Sequence, residues 1–149
     1  MPGSDRRLGA AFAVAAAVAV ADQVSKWLVR DGTDGLPVRV VAGVRIELNY
    51  NTGISFGRFA GAGWIVTAAV AAVAAGVTAA LFLAPARYRI ALGVILGGAV
   101  GNLIDRFRFG GAVVDFIAIG PWPPFNLADA AILIGTVVLV LQVFLGLRD

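Results

Sequence analysis

Four long apolar segments divide the chain, and they restrict its possible folds more than any other feature. Each segment approaches the roughly 20 residues that an α-helix needs to cross a lipid bilayer. They cover about residues 8–29, 63–84, 88–107 and 125–147. Of the 149 residues, 60% are hydrophobic and only 14% are charged, whereas soluble domains carry about 25% charge. The pattern predicts a membrane all-α fold, a single integral membrane domain (1–149) built as a four-transmembrane-helix bundle.

Basic residues near the segment ends predict the orientation of the chain. Membrane proteins concentrate Lys and Arg in short cytoplasmic loops. Seven other basic residues lie on the opposite side, but they are spread over longer segments and matched by seven acids. Because four crossings place both termini on one side, we expect both termini to be cytoplasmic. The residues that mark this side are Arg6, Arg7, Arg87, Arg89 and Arg148.

The first segment has a second interpretation. Two arginines at 6–7, an Ala/Val run and the Ala-Val-Ala tripeptide at 19–21 imitate a secretory signal with its cleavage site. The apolar pattern resumes beyond the tripeptide, through Val24, Trp27 and Leu28. This continuation favours an uncleaved first helix.

Asp22 and Lys26 introduce charge into that helix. Their spacing of four places them on one helix face, where they can form an ion pair. An interfacial pair, with the lysine extending its ammonium towards water, is favoured over a direct role in catalysis.

The segment between the first two crossings predicts a small β element at about residues 37–57. Residues 37–42 and 44–50 are rich in Val and Ile, and Gly43 lies between them, which is typical of a β-hairpin. Alternation of Val44, Ile46 and Leu48 with polar residues gives the second strand one apolar face. A lone hairpin is not stable in water, so we expect it to dock on the helices or on the lipid interface.

Small residues recur at every fourth position in the second and third crossings. Such rows let helix backbones approach closely in lipid, where no hydrophobic force brings helices together. We therefore expect them to pack the bundle without a chemical role. They are Ala68, Ala72, Gly76 and Ala80, and Gly93, Gly97 and Gly101.

Polar residues suited to chemistry collect at the predicted outer ends of the last two crossings. Asn102 and Asp105 are three residues apart, as are Asn126 and Asp129, so each pair lies on one helix face. Between the two helices, Asp115 lies in an apolar stretch too short to cross a bilayer, and we expect this stretch to fold back over the helix ends.

The residue inventory limits the chemistry available to these carboxylates. The chain has no Cys and no His, which removes thiolate nucleophiles and the commonest general base. Two buried carboxylates that share a proton can hydrolyse a peptide bond, one as base for water and one as acid. The residues alone leave two alternatives open: a site for Mg²⁺ or another hard cation, and a proton or ion relay in a transporter.

Two further features have a simple structural interpretation as well as a functional one. The stretch 49–57 (NYNTGISFG) contains Asn and Gly where a strand ends, as turns do. Arg106 is placed either to cap Asp105 or to meet lipid phosphate. The basic residues of the whole chain are scattered singly, despite a sequence pI near 10.2, so no nucleic-acid partner is expected.

Together these motifs resemble signal peptidase II, the lipoprotein signal peptidase of bacteria. The matching elements keep the family's order along essentially the whole chain. They are Asp22-x-x-Ser25-Lys26, Asn51-x-Gly53-x-x-Phe56, Gly101-Asn102-x-x-Asp105-Arg106, Val114-Asp115-Phe116 and Phe125-Asn126-x-Ala128-Asp129.

The resemblance implies an aspartic endopeptidase of the bacterial cytoplasmic membrane, with its active site near the outer face. Such an enzyme removes signal peptides from prolipoproteins and cuts before the diacylglyceryl-modified cysteine. It implies Asp115 and Asp129 as the catalytic pair, with no metal and no cofactor. We expect a monomer whose partners are membrane lipid and the lipidated precursor. The residues implied to line or support the site are Asn51, Gly53, Asn102, Asp105, Arg106, Asn126, Asp22 and Lys26.

One pair of residues departs from the family pattern. Ile54 and Ser55 stand where the family usually has two small residues, often alanines. The departure bears on the local shape near Asn51 and leaves the carboxylate pair untouched.

Overall fold

The computed structural model describes residues 2–32, 37–53 and 62–146. Four α-helices and three β-strands make up the fold, with one 3-10 turn at Ala86–Tyr88 between the second and third helices. The helices are α1 (Pro2–Asp31), α2 (Ala62–Leu83), α3 (Arg89–Arg108) and α4 (Leu127–Phe144). The strands are β1 (Val38–Val41), β2 (Val44–Asn51) and β3 (Val113–Ile119).

All four helices are long and apolar enough to cross a membrane. Large apolar side chains point outward from them, among them Ile65, Leu83, Leu133 and Phe144. Such a surface suits a protein whose surrounding solvent is lipid hydrocarbon. The prediction of four apolar helices with a small β element is confirmed.

α3 lies at the centre of the bundle and packs against the other three helices. In the most apolar stretch of α3, 67% of the residues are buried inside the protein. The corresponding fraction is 22% or less in each of the other three helices. Glycines on its surface make this packing possible. A Cβ at Gly97 would lie 2.6 Å from the carbonyl oxygen of Ala15 in α1, and one at Gly98 would lie 2.5 Å from that of Ala128 in α4.

The predicted packing row of α2 is wrong for three of its four members. Ala68, Ala72 and Gly76 are exposed, and a Cβ on Gly76 would have no atom within 4 Å. α2 instead buries Thr67, Ala74 and Leu81, seven residues apart. Because α2 carries small residues all round its circumference, small size alone does not identify the face that packs.

The outer β element is a three-stranded antiparallel sheet in the order β1-β2-β3. The predicted hairpin is present as β1 and β2, and Gly43 turns between them with a φ of 82°. The sequence did not identify β3 as a strand. β3 pairs with β2, so that Asn49 lies opposite Asp115 and Asn51 opposite Val113. This pairing ties the hairpin to the ends of α3 and α4 and brings Asp115 back over the bundle.

Candidate active site

The start of α4 places two of the predicted site residues. Asn126 is the N-cap, and its side-chain oxygen accepts a hydrogen bond from the backbone N–H of Asp129 at 2.9 Å. The Asp129 carboxylate in turn accepts from the backbone N–H of Asn126 at 3.2 Å. This reciprocal capping box satisfies two N–H groups at the helix start and fixes both side chains. Asp129 remains half-buried.

Asp115 lies on β3 with only 2% of its surface exposed. Each of its carboxylate oxygens accepts one side-chain amide hydrogen bond. Asn51, at the end of β2, donates to Oδ2 at 2.9 Å, and Asn126 donates to Oδ1 at 2.8 Å. The antiparallel pairing of β2 with β3 therefore brings Asn51 to a carboxylate 64 residues further along the chain.

Asn102 on α3 joins Asp129 to the rest of the cluster. Its Nδ2 donates to Asp129 Oδ1 at 2.8 Å, and its Oδ1 accepts from Asn126 Nδ2 at 3.1 Å. Asn126 thus contacts Asp115 with its amide nitrogen and the Asp129 backbone with its amide oxygen. Asn126 and Asn102 therefore form a chain of hydrogen bonds from the Asp115 carboxyl to the Asp129 carboxyl.

Burial raises the pKa of the Asp115 carboxyl above its ordinary value of 3.8, because removal from water disfavours the charged form. The hydrogen bonds from Asn51 and Asn126 oppose this rise in pKa, whereas the negative charge of Asp129 adds to it.

A second polar cluster lies beneath these acids, inside the bundle. Lys26 Nζ is 2.8 Å from Asp22 Oδ2 and 2.8 Å from Asp105 Oδ2. The predicted Asp22–Lys26 pair therefore forms, but the predicted extension of the lysine towards water is wrong, because Lys26 is only 2% exposed and Asp22 is fully buried. The lysine points into the bundle because Asp105 and Asn102 on α3 accept its hydrogen bonds there. These acceptors take the place of the water molecules that a side chain extended towards solvent would contact.

Asp105 contacts the segment that carries Asp115. Its Oδ2 accepts from the backbone N–H of Val114, the residue before Asp115, at 2.9 Å. Its Oδ1 accepts from Gln23 Nε2 at 2.9 Å. The sequence analysis did not single out Gln23, because a glutamine next to Asp22 on a mostly exposed helix gives no signal for a contact with α3.

Arg106 holds the turn that leads from α3 into β3. Its Nη1 donates to the carbonyl of Gly111 at 2.7 Å, and Gly111 has a φ of 95°, which favours glycine. Its Nη2 lies next to Gly53, where a Cβ would be 3.4 Å away, and the φ of 75° at Gly53 favours glycine. The Arg106 Nε is buried and has no hydrogen-bond partner among the residues that the structure describes.

Part of the predicted motif after β2 lies outside the described residues. Ile54, Ser55, Phe56 and Gly57 belong to this part. Asn51 and Gly53, which precede them, are described, and Asn51 Oδ1 accepts from the backbone N–H of Gly53 at 2.7 Å. Asn51 can take part in this turn and contact Asp115 at the same time, because its amide oxygen accepts from Gly53 while its amide nitrogen donates to Asp115.

The site combines a buried carboxyl whose pKa is raised, Asp115, with a second, half-buried carboxyl, Asp129, which accepts from the Asn102 side chain and the Asn126 backbone. Such an arrangement suits acid–base hydrolysis. Comparison with known proteins decides the family, because the sequence profile of signal peptidase (SPase) II matches residues 14–145. The chain belongs to the signal peptidase II family.

Individual relatives of this family agree along most of their length. The lipoprotein signal peptidase of Rhizorhabdus wittichii is 42% identical over 149 residues, which cover 90% of this chain and 85% of the relative. That of Moorella thermoacetica is 41% identical over 129 residues, covering 83% and 85%. A solved bacterial membrane enzyme superposes with a TM-score of 0.82 at 25% identity, over 91% of this chain and 93% of the other.

Membership in the signal peptidase II family confirms the resemblance drawn from the five motifs. The family consists of aspartic peptidases that cleave signal peptides from prolipoproteins. Together with four membrane-competent helices, it establishes the chain as a multi-pass membrane peptidase.

Proposed function

We propose that Asp115 and Asp129 are the catalytic pair of this peptidase and that they hydrolyse the peptide bond before the diacylglyceryl-modified cysteine of a prolipoprotein. The observation that carries the proposal is the chain of hydrogen bonds that links the two carboxyl groups, from Asp115 through Asn126 and Asn102 to Asp129. The two acids also differ in exposure: Asp115 is buried and Asp129 is half-buried. Acid–base hydrolysis needs one protonated and one ionised carboxyl, and this difference favours such a division.

Asp115 is the acid and Asp129 the base at the start of the reaction. Asp115 is almost fully buried, and burial raises its pKa, so it retains a proton more readily than an exposed carboxyl does. Asp129 is half-buried, and both of its oxygens accept N–H hydrogen bonds. Its access to solvent suits it to hold and deprotonate the attacking water.

The proposed reaction moves protons in two steps. Asp129 takes a proton from water while the water oxygen bonds to the scissile carbonyl carbon, and Asp115 gives its proton to the carbonyl oxygen. The tetrahedral intermediate then returns that proton to Asp115. As the C–N bond breaks, Asp129 passes its proton to the leaving amine of the cysteine. Both carboxyls regain their starting states, and the reaction needs no cofactor.

Arg106 and Asn51 support substrate binding in this proposal. The unpartnered Nε–H of Arg106 is suited to donate to a substrate carbonyl, because a buried donor gains most when it is paired. Asn51 and Gly53 lie at the end of β2, where an extended substrate segment can approach Asp115. The lipid chains remain in the bilayer in this arrangement.

The proposed location follows from the distribution of charge along α3. Arg87 and Arg89 lie at its start, and Asn102 comes 13 residues after Arg89, which corresponds to about 20 Å along a helix. If the arginines lie at the cytoplasmic face, the site lies near the outer face of the bacterial cytoplasmic membrane. Both termini are then cytoplasmic.

A gel-shift assay with purified protein tests the proposed function. A diacylglyceryl-modified precursor should be converted to a smaller product, with cleavage next to the modified cysteine, and a strong chelator should leave the rate unchanged. The matched control is the same precursor without the lipid, which we expect to be cut poorly. Loss of cleavage on chelation would indicate metal-dependent chemistry. No cleavage, together with an ion-gradient response in liposomes, would indicate a transporter.

A further inference from the structure

Lys26 makes three buried polar contacts inside the bundle, although it lies outside the proposed catalytic pair. Its ammonium has three N–H donors and three acceptors at hydrogen-bonding distance. These are Asp22 Oδ2 at 2.8 Å, Asp105 Oδ2 at 2.8 Å and Asn102 Oδ1 at 3.1 Å. With 2% of its surface exposed, Lys26 has little contact with water, and every donor is committed to the protein.

The two carboxylates that hold Lys26 are themselves fixed to the segments that carry the proposed catalytic acids. Asp105 accepts from the backbone N–H of Val114, which precedes Asp115. Asp22 accepts from the backbone N–H of Ala128, which precedes Asp129, at 2.9 Å. The ammonium is therefore held at a fixed position relative to β3 and to the start of α4.

Lys26 Nζ and Asn126 Nδ2 each donate to Asn102 Oδ1 at 3.1 Å, and together they favour one orientation of the Asn102 amide. An ammonium only donates hydrogen bonds, so it favours the orientation in which the Asn102 oxygen faces it. The amide nitrogen of Asn102 then faces Asp129 and donates to Oδ1 at 2.8 Å. In the reversed orientation the amide N–H₂ would face the ammonium, and the amide oxygen would face the Asp129 carboxylate.

We infer that Lys26 is a positioning residue for the peptidase reaction, acting through the side-chain amide of Asn102. It holds that amide so that an N–H group, and not an oxygen, faces the carboxylate that activates water. Lys26 touches neither the substrate nor the reacting atoms. The inference rests on the proposed function of Asp115 and Asp129.

A purely structural ion pair is the alternative, and it demands a charge-matched test. Lys26→Met alone leaves two buried carboxylates without their cation, which threatens folding. The test therefore uses an Asp22→Asn background. One cation and two anions give the wild-type cluster of Lys26, Asp22 and Asp105 a formal charge of −1, and the Asp22→Asn/Lys26→Met variant has the same charge, from Asp105 alone. Asn at position 22 also keeps an oxygen that can accept from Ala128.

The first measurement compares Asp22→Asn/Lys26→Met on the lipidated precursor with wild type, which has the same cluster charge, and with Asp22→Asn, which isolates the change at Lys26. We expect kcat to fall roughly tenfold to a hundredfold while KM stays within about threefold, since substrate contacts are unchanged. Thermal unfolding in detergent gives the folded fraction. If kcat per folded molecule is retained, or if only KM changes, the inference is wrong.

The second measurement is a double-mutant cycle that includes Asn102→Ala. If Lys26 acts through Asn102, the fold reduction in kcat that Lys26→Met causes should be at least about fivefold smaller in the Asn102→Ala background than with Asn102 present. An equal reduction in both backgrounds would mean that Lys26 acts through the fold, and it would overturn the inference. The proposed function is tested separately: it fails if Asp129→Asn retains normal turnover, whatever the cycle shows.

Discussion

The two proposed catalytic acids have the same side chain, and their environments give them different properties. Asp115 is enclosed by β3, Asn51 and Asn126, whereas Asp129 lies in the first turn of α4 with part of its surface exposed. The sequence identifies both residues but does not distinguish their protonation, because burial of Asp115 depends on a strand pairing between distant segments. The assignment of acid and base therefore depends on the structure.

The raised pKa of Asp115 predicts how stability depends on pH. The folded protein binds the proton of this carboxyl more tightly than the unfolded chain does, so its contribution to stability is present in full below the ordinary pKa of 3.8. That contribution is lost as the pH rises from there towards the raised folded-state pKa. Asp115→Asn removes the titration, although it also alters two hydrogen bonds at every pH.

We therefore expect the melting temperature of Asp115→Asn to increase relative to wild type as the pH rises from about 4, and the difference to level off above the folded-state pKa of Asp115. Thermal unfolding in detergent across this range measures the difference. A difference that stays constant with pH would contradict a raised pKa at Asp115.

Lys26 and Gln23 make contacts with α3 that the spacing of residues in the sequence does not predict. The spacing of Asp22 and Lys26 correctly predicts their ion pair. It cannot predict that Asp105 and Asn102, some 80 residues later, supply further acceptors and draw the lysine into the bundle. Gln23 contacts Asp105 through the same helix packing. Contacts between helices depend on their rotation, which one sequence does not specify.

At the scale of secondary structure, α3 organises the bundle because glycines let α1 and α4 approach its backbone. Gly97 and Gly76 offer a matched pair of tests, since each changes from glycine to alanine in the interior of an apolar helix. A Cβ at Gly97 would lie 2.6 Å from the Ala15 carbonyl and 2.7 Å from Val18 Cβ, whereas a Cβ at Gly76 would meet nothing within 4 Å.

We expect Gly97→Ala to destabilise the fold by about 1–3 kcal/mol, because α1 and α3 must separate to relieve the overlap. Gly76→Ala should be neutral or stabilising by up to about 1 kcal/mol, since alanine favours helix more than glycine does. Thermal unfolding of both purified variants is the measurement. Equal losses of stability would show that α1 and α3 do not pack as described.

Several elements follow directly from the sequence, and one does not. The fourth apolar segment, which begins at about residue 125, predicts a helix where α4 begins, at Leu127. The β-hairpin follows from its Val and Ile content and from Gly43. β3 has the same composition as a buried helix segment, and its partner β2 lies more than 60 residues away, so neither its type nor its pairing can be read locally.

At the scale of the whole molecule, the proposed orientation predicts which loops each side of the membrane can reach. The chain has no Cys, so single cysteines can be introduced without background. Ala42 lies in the β1–β2 turn and Arg87 in the α2–α3 connection, and both are exposed. The two positions lie at opposite ends of the proposed topology.

We expect a membrane-impermeant maleimide to label Ala42→Cys from outside intact cells and to label Arg87→Cys only after the membrane is opened. The proposed orientation follows from the positive-inside rule. Labelling of Arg87→Cys in intact cells would reverse the orientation and would place the site at the cytoplasmic face.

The central claim is that Asp115 and Asp129 together cleave the lipidated precursor. It is tested most directly by measuring single-turnover cleavage with purified Asp115→Asn and Asp129→Asn, and with Asp31→Asn as a matched control. Asp31 is an exposed acid at the end of α1, remote in sequence from both acids. We predict no detectable product from either catalytic variant, normal product from Asp31→Asn, and folded protein in all three. Normal turnover by folded Asp115→Asn or Asp129→Asn would contradict the claim.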